Sequence, residues 1–356
     1  VRRFLPVTIL ILLCKLPVKA QQQRIFADSI RKAYQIPALG YALVSADSIY
    51  DIQLLGEAKP QHRFRIGSNT KAITCMVAAL LVQEGRLHWD MRFFDLFPEM
   101  KAAAHPAYHT VTLQQLLTFR NKLVKYTYTH AAPRVSEITG SEAIQRRKFA
   151  AWLLRQPPVT DTAAINLSNS GYTLAGMMLE RAGGQDYMAL VKKFGAQQHI
   201  HFGAGNPNAK DSTQLSGHHE LGLPEPVRNN PKLNWLMAAG NINVSLEDYV
   251  RFIQLQLKGL KGQSLLLPRT TFEYLHYGLP FFAFGWFHEQ DENGHHISHN
   301  TGNPGGFITD VYIDREADRA CIIFTNIQQE RTYEAIRILR EKCIFSYLKN
   351  GGYVTR

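Results

Sequence analysis

Ser68 and Lys71 stand three residues apart where an extended stretch gives way to an apolar helix, in the segment Phe64-Arg-Ile-Gly-Ser-Asn-Thr-Lys-Ala-Ile-Thr-Cys75. A serine hydroxyl is a poor nucleophile at neutral pH and needs a neighbouring base. A lysine can be that base when burial disfavours its charged form. The spacing puts both side chains on one helix face, and Ile73, Met76 and Val77 provide apolar surroundings. Gly67 lets the backbone turn sharply ahead of the serine. The free N–H groups and dipole of a helix start favour the negative charge that develops when a carbonyl is attacked. Ser-x-x-Lys alone recurs by chance, with the serine as a cap and the lysine in solvent. The strand–turn–helix setting gives it weight, and a cation opposing the dipole at the start of so apolar a helix calls for a chemical reason. The pattern predicts a nucleophilic Ser68, with Lys71 moving its proton.

The elements that must position this pair are legible in outline. Residues 22–35 read as an amphipathic helix. Alternating runs at 40–46 and 49–55 read as a hairpin turning at Ala46-Asp-Ser48, and 62–66 as a short strand leading to Gly67. Residues 69–84 form a long apolar helix ending near Gly85. Thr112 with Gln115 makes a capping box. Tyr172–Ala182 is helical and stops at Gly183-Gly184, and Ser245 with Asp248 caps a helix over 246–258. Candidate strands follow at 281–288, 294–299, 307–313 and 319–326, then a closing helix over 334–348. Strands at both ends with helices between them predict an α+β fold. An antiparallel sheet is built from the N- and C-terminal segments, flanked by helices, with a mostly helical insert. This gives one catalytic domain over 21–350, its α/β part being 21–67 and 235–350 and its helical part 68–234.

Bulk properties narrow the class. With 45% hydrophobic and 19% charged residues the composition is that of a globular protein. The formal charge is +11, of which Arg2, Arg3, Lys15 and Lys19 supply four. No zinc-finger, RNP-like or dense basic-helix pattern accompanies it, so nucleic acid is not an expected partner. Residues 1–20 read as a secretory signal: a charged start at Arg2-Arg3, an apolar Val7–Cys14 too short to span a bilayer, and Val18-Lys-Ala20 before a cleavage point. The expected location is periplasmic or secreted, with no stable membrane insertion after cleavage. Cys75, Cys321 and Cys343 then remain, an odd number that gives no disulfide framework; a Cys321–Cys343 bridge stays open. No CxxC or HExxH occurs, and the tandem histidines at 218–219 and 295–296 lack ligand spacing, so neither a metal nor a cofactor is expected.

The Ser68 segment resembles the serine motif of the class C β-lactamase, DD-peptidase and penicillin-binding-protein-like esterase superfamily. The likeness continues through Leu80–Asp90, Val111–Thr118, and Ala238-Ala-Gly240 with Ser245–Asp248, and covers residues 24–348. It implies a β-lactamase/transpeptidase-like fold and two further motifs. The family's Tyr-x-Asn falls on Leu167-Ser-Asn169, with Asn169 orienting the substrate amide. Its Lys/His-Thr-Gly falls within Ser298-His-Asn-Thr-Gly-Asn303. Two registers are open there. Either Asn300-Thr301-Gly302 is the motif, or His299 takes the cationic position. In the first, the N–H of Asn303 joins that of Ser68 as an oxyanion hole.

Two departures bear on mechanism. Leu167, which can neither give nor accept a proton, replaces the motif tyrosine, so Lys71 acts without the phenol or Tyr172 or a histidine substitutes. After Thr118 the family's His-Thr-Ser-Gly is replaced by Phe119-Arg-Asn-Lys122. The resemblance implies an exported serine hydrolase acting on β-lactams, D-Ala-D-Ala-type peptides or small esters. The departures support the alternative of a ligand-binding or regulatory homologue with impaired catalysis. Neither substrate identity nor oligomeric state is written in the sequence.

Overall fold

The computed structural model describes residues 8–161, 163–220, 223–225 and 230–348. Its centre is a six-stranded antiparallel sheet. The strands are β1 (Ala38–Val44), β2 (Ile49–Gly56), β3 (Phe287–Gln290), β4 (His296–Gly302), β5 (Ile308–Asp314) and β6 (Arg319–Thr325). Their spatial order is β2-β1-β6-β5-β4-β3. The N-terminal hairpin therefore lies against the last strand in sequence, with Gly40 opposite Phe324 and Ala42 opposite Ile322.

β1 is buried along its whole length, and its alternate residues serve two cores. Leu39, Tyr41 and Leu43 pack with Ala27, Ile336 and Leu339 from two helices, α1 (Thr8–Ala33) and α6 (Glu330–Leu348). Ala38, Ala42 and Val44 join a larger core with Ile73 of α2 (Thr70–Gln83) and Ile253 of α4 (Leu246–Leu260). A strand covered on both faces reads as a continuous apolar run. The remaining helices used below are α3 (Ser170–Gly183) and α5 (Arg269–Tyr277).

The predicted caps are present. Thr112 Oγ1 accepts from Gln115 N at 3.3 Å while Gln115 Oε1 accepts from Thr112 N at 3.0 Å. Ser245 Oγ accepts from Asp248 N at 3.1 Å, and α3 ends on Gly184 at φ +65°.

Three elements differ from the sequence reading. The first helix does not begin at 22. It is continuous from Thr8 through Ala20-Gln21 to Ala33. Residues 1–7, with the charged start of the expected signal, lie outside the described residues. Second, the expected strand at 281–288 is confined to Phe287–Gln290. Residues 280–286 form a loop instead, with Phe281 at φ +65° and Gly285 at φ +91°. Third, Ile242–Ser245 is an additional strand, between Arg63–Arg65 and Gly203–Ala204 in a small second sheet. Among the described residues no helix is long and apolar enough to cross a membrane. Cys75, Cys321 and Cys343 are buried free thiols.

Candidate active site

Ser68 occupies a single 3-10 turn, Gly67–Asn69, between the Arg63–Arg65 strand and α2. The turn is fastened on both sides. Asn69 Nδ2 donates to Thr309 Oγ1 of β5 at 2.9 Å, and that hydroxyl donates to Ile66 O at 3.0 Å. One turn into α2, Thr74 Oγ1 donates to Ala238 O at 2.7 Å. The hydroxyl of Ser68 thus stands at the junction of sheet and helical part, partly open to solvent.

Two glycines allow the closest approach. A Cβ on Gly302 would fall 1.9 Å from Ile66 O, and one on Gly67, at φ +51°, would fall 2.5 Å from Asn303 N. The end of β4 is thereby pressed backbone to backbone on the residues just ahead of Ser68. Asn303 N sits beside that turn.

Lys71 is 2% exposed. Its Nζ lies 2.9 Å from Ser68 Oγ, 2.9 Å from Asn169 Oδ1 and 2.8 Å from Ala239 O. Burial pushes its ammonium down to about 7. Cys75, four residues on, would oppose this as a thiolate, but burial pushes that thiol up to about 12 and keeps it neutral. A neutral amine has two N–H groups and one lone pair. The Ala239 carbonyl can only accept. The Asn169 amide is oriented by its Nδ2, which donates to Tyr126 O at 3.2 Å, so its oxygen faces Lys71 and also accepts. With both N–H groups taken, the lone pair is left for the Ser68 hydroxyl.

Tyr172 does not stand in for the missing phenol. Its ring lies 5.3 Å from Lys71 Nζ, but its hydroxyl is turned away, donating to Leu117 O at 2.6 Å, and burial raises its pKa well above the usual tyrosine value. Leu167 is half exposed, two residues from Asn169.

On β4 the register puts Asn300, not His299, on the Ser68 side. Asn300 Nδ2 donates to Gly285 O at 2.9 Å and to Ser68 O at 3.2 Å. His299 and Thr301 fall on the opposite face, as strand alternation requires. The His299 ring stacks on Phe287 at 5.8 Å. Thr301 Oγ1 donates to Asp310 Oδ1 at 2.7 Å, and Asp310 in turn binds Arg340 of α6. The structure thus brings together Ser68, Lys71, Asn169, Asn300, Gly302 and the backbone of Asn303. It turns the side chains of His299 and Thr301 away. The Asn303 side chain faces outward to Tyr333.

A cavity of about 610 Å³ is lined among others by Arg65, Tyr128, His219, Glu225, Asn241 and Pro304, and by none of Ser68, Lys71, Asn169 and Asn300. Its walls include near neighbours in the chain of the site residues. Arg65 precedes Ser68 by three residues, Asn241 follows the Lys71 acceptor by two, and Pro304 follows Asn303. Arg65 is buried, donates to Pro304 O at 3.0 Å and pairs with Glu225 at 3.3 Å. Glu225 also meets His219 at 2.8 Å. Arg65 Nε and Asn241 Oδ1 are buried without a hydrogen-bond partner among the described residues. Sequence reasoning missed this wall, although an arginine inside the apolar Phe64-Arg-Ile strand was a signal. It also missed Ala239 O and Gly285 O, which as backbone atoms carry no sequence signal. The one cluster of three metal-type side chains among the described residues, Asp291, His295 and Asp314, lies on the β3–β4 hairpin and the end of β5. There His295 Nδ1 is engaged by Asp314 at 2.9 Å.

Comparison with known proteins places the chain. It is 23% identical over 353 residues to Protein flp of Staphylococcus aureus strain N315, an alignment covering 91% of this chain and 67% of that protein. Among solved structures it superposes on a penicillin-binding protein homologue from Pyrococcus abyssi (TM-score 0.73, 15% identity, covering 93% of this chain and 80% of that one). It superposes equally on a class C β-lactamase from Rhodobacter sphaeroides (TM-score 0.73, 16% identity, 92% and 99%). For a D-amino acid amidase from Ochrobactrum anthropi SV3 the TM-score is 0.72, at 17% identity over 93% of this chain and all of that one. These likenesses carry the fold. The Beta-lactamase family model matches residues 26–342, nearly the whole described chain, and the chain belongs to the β-lactamase family.

Proposed function

We propose that this chain is an exported serine hydrolase that forms an acyl-enzyme on Ser68, acting on amide or ester bonds. The observation that carries the reading is the 2.9 Å contact between Lys71 Nζ and Ser68 Oγ, on a buried amine whose other two partners are acceptors. Lys71 withdraws the Ser68 proton as Oγ attacks the carbonyl. The N–H groups of Ser68 and Asn303 hold the oxygen as it becomes anionic, an arrangement in which one donor is typically worth 10²–10³ in rate. Asn169 orients the amine and the substrate amide. Asn300 fixes the nucleophile turn to the loop ending at Gly285. With Leu167 in place of a phenol, Lys71 also returns the proton to the leaving atom, and water then releases the acyl group. The cavity walled by Arg65, Glu225 and Asn241 is the space offered to the acyl portion of the substrate. The structural relatives include an amidase and a β-lactamase, which supports β-lactams, D-amino-acid amides and small esters as the first compounds to try.

Leu167 favours a second reading, a binding protein that acylates slowly. Treatment with a fluorophosphonate or fluorescent penicillin, followed by peptide mapping, separates the two. Label on Ser68 that is absent from Ser68→Ala, together with turnover of nitrocefin, nitrophenyl esters or D-amino-acid amides, establishes the hydrolase. Label without turnover establishes the slow binder. Absence of any label on folded protein, beside a labelled active relative, refutes both.

A further inference from the structure

The last residues of β4 are held from two faces. On the Ser68 face, Asn300 donates to Ser68 O, and Thr309 of β5, paired with Gly302, donates to Ile66 O at 3.0 Å. On the other face the next residue of β5, Asp310, lies opposite Thr301 and accepts from its hydroxyl at 2.7 Å. Successive side chains of a strand point to opposite faces, so Thr309 and Asp310 grip the same stretch of β4 from front and back.

Asp310 is 2% exposed, and a carboxylate so placed needs a charged partner. That partner comes from α6. Arg340 Nη1 donates to Asp310 Oδ2 at 2.9 Å, and its guanidinium lies 5.8 Å from the Tyr312 ring. Two turns earlier on the same helix, the Tyr333 hydroxyl accepts from Asn303 Nδ2 at 2.9 Å. The helix therefore holds both residues that flank Gly302: Thr301 by way of Asp310, and Asn303 directly. Between these two contacts, Ile336 and Leu339 pack with Leu39, Tyr41 and Leu43 of β1, so α6 is itself anchored on the sheet.

Resting on the acyl-transfer reading, the N–H of Asn303 meets an oxygen as negative charge develops on it. Such a donor accelerates the reaction only when it is already in place. Gly302 has no side chain because its backbone presses on Ile66 O, and a glycine supplies the least restraint of any residue. The placing of the next N–H then depends on what grips the residues on either side. We infer that Asp310, Arg340 and Tyr333 are positioning residues for acylation. Acting through Thr301 and the Asn303 side chain, they set the Asn303 N–H toward the oxygen of the attacked carbonyl. The closing helix thus governs oxyanion stabilisation from the face of the sheet turned away from Ser68.

Nitrophenyl acetate and its thiono counterpart, with sulfur in place of the carbonyl oxygen, test this. Both release nitrophenolate as Ser68 is acylated. Sulfur is larger and a weaker acceptor, so charge developing on it gains little from N–H groups placed for oxygen. The unaltered protein should therefore take the ester at least about tenfold faster. Thr301→Val and Tyr333→Phe each keep the side chain's shape and remove one hydroxyl. Each should slow the ester by about tenfold, a fraction of the cost of losing a whole donor, and the thionoester by under about twofold. Arg340→Met should lower the ratio likewise, while Arg340→Lys, which keeps a cation for Asp310, should retain most of it. Rates are taken per Ser68 titrated with a fluorophosphonate, and a merely destabilised protein loses both reactions in step. An unchanged ratio in Thr301→Val and Tyr333→Phe, a fall of both rates in step, or no discrimination in the unaltered protein overturns the inference. So does a Ser68 that takes the fluorophosphonate but neither acyl group. Each of these leaves the nucleophile assignment standing. If no probe labels Ser68, that assignment falls and the positioning role falls with it.

Discussion

Asn169 Oδ1 accepts a hydrogen bond from Lys71 Nζ at 2.9 Å, and the far side of the same amide donates to the Tyr126 carbonyl at 3.2 Å. The amide therefore cannot flip without losing two hydrogen bonds, and it fixes the direction in which the amine's lone pair points. Asn169→Leu, which keeps the volume and removes the acceptor, should slow labelling of Ser68 by at least about tenfold. Stopped labelling with a fluorophosphonate measures it; an unchanged rate would show that Ala239 O alone orients the amine.

Lys71→Arg retains a cation but cannot supply a lone pair near neutrality. Acylation of Ser68 should fall by about 10²–10⁴-fold, the usual worth of a positioned base. A variant that kept near-normal rates would move the base elsewhere.

The pH dependence has a defined sign. With the buried amine titrating near 7, the ammonium form below that value has no lone pair, so acylation should fall about tenfold per pH unit on the acid side and level off above about 7. Stability follows the same proton. The unfolded chain keeps Lys71 charged to its ordinary value of 10.5, so between about 7 and 10 the unfolded state binds more protons and rising pH favours the fold. The contribution reaches roughly 1.4 kcal/mol per pH unit. Urea titrations at pH 7 and 9 on the wild type and Lys71→Met should show this gradient only in the former.

Leu167→Tyr restores a proton-bearing group two residues from Asn169. Turnover of whichever amide or ester proves active should rise by about tenfold or more. No rise would mean that Lys71 already carries both proton transfers without loss.

Gly302→Ala forces a Cβ to within 1.9 Å of Ile66 O. The backbone on both sides is fixed, so the substitution should cost about 3 kcal/mol or more and abolish labelling together. Ser68→Ala, by contrast, removes one partly solvated hydrogen bond and should cost about 1 kcal/mol while abolishing labelling completely. Chemical denaturation and labelling on both variants separate the two effects.

Local chemistry was readable from the residues alone. The Ser68–Lys71 spacing, the Thr112 box, the Ser245 cap and the Gly184 stop depend on neighbours within four positions, and each lies where its residue types put it. What depended on distant partners was not readable. The 280–286 segment alternates like a strand, but Arg120, 162 residues away in the chain, binds its carbonyls and bends it. Ile242–Ser245 is a strand because Arg63–Arg65 lies alongside, and four residues carry too short a pattern to show it. The choice between His299 and Asn300 is a one-residue slip that reverses every side chain. The pairing of His299 with Tyr312 and Phe287, with the bonds from Asn300 to Ser68 O and Gly285 O, settles it.

The order of strands in the main sheet also sets a timetable. Because β1 must wait for β6, and the turn at Gly67 for the end of β4, a nascent polypeptide emerging from the ribosome acquires its serine and lysine well before the groove that makes them useful. A product ending before β4 would have both reactive groups and no β4 strand against the turn at Gly67, so incomplete molecules would be inert rather than indiscriminately reactive.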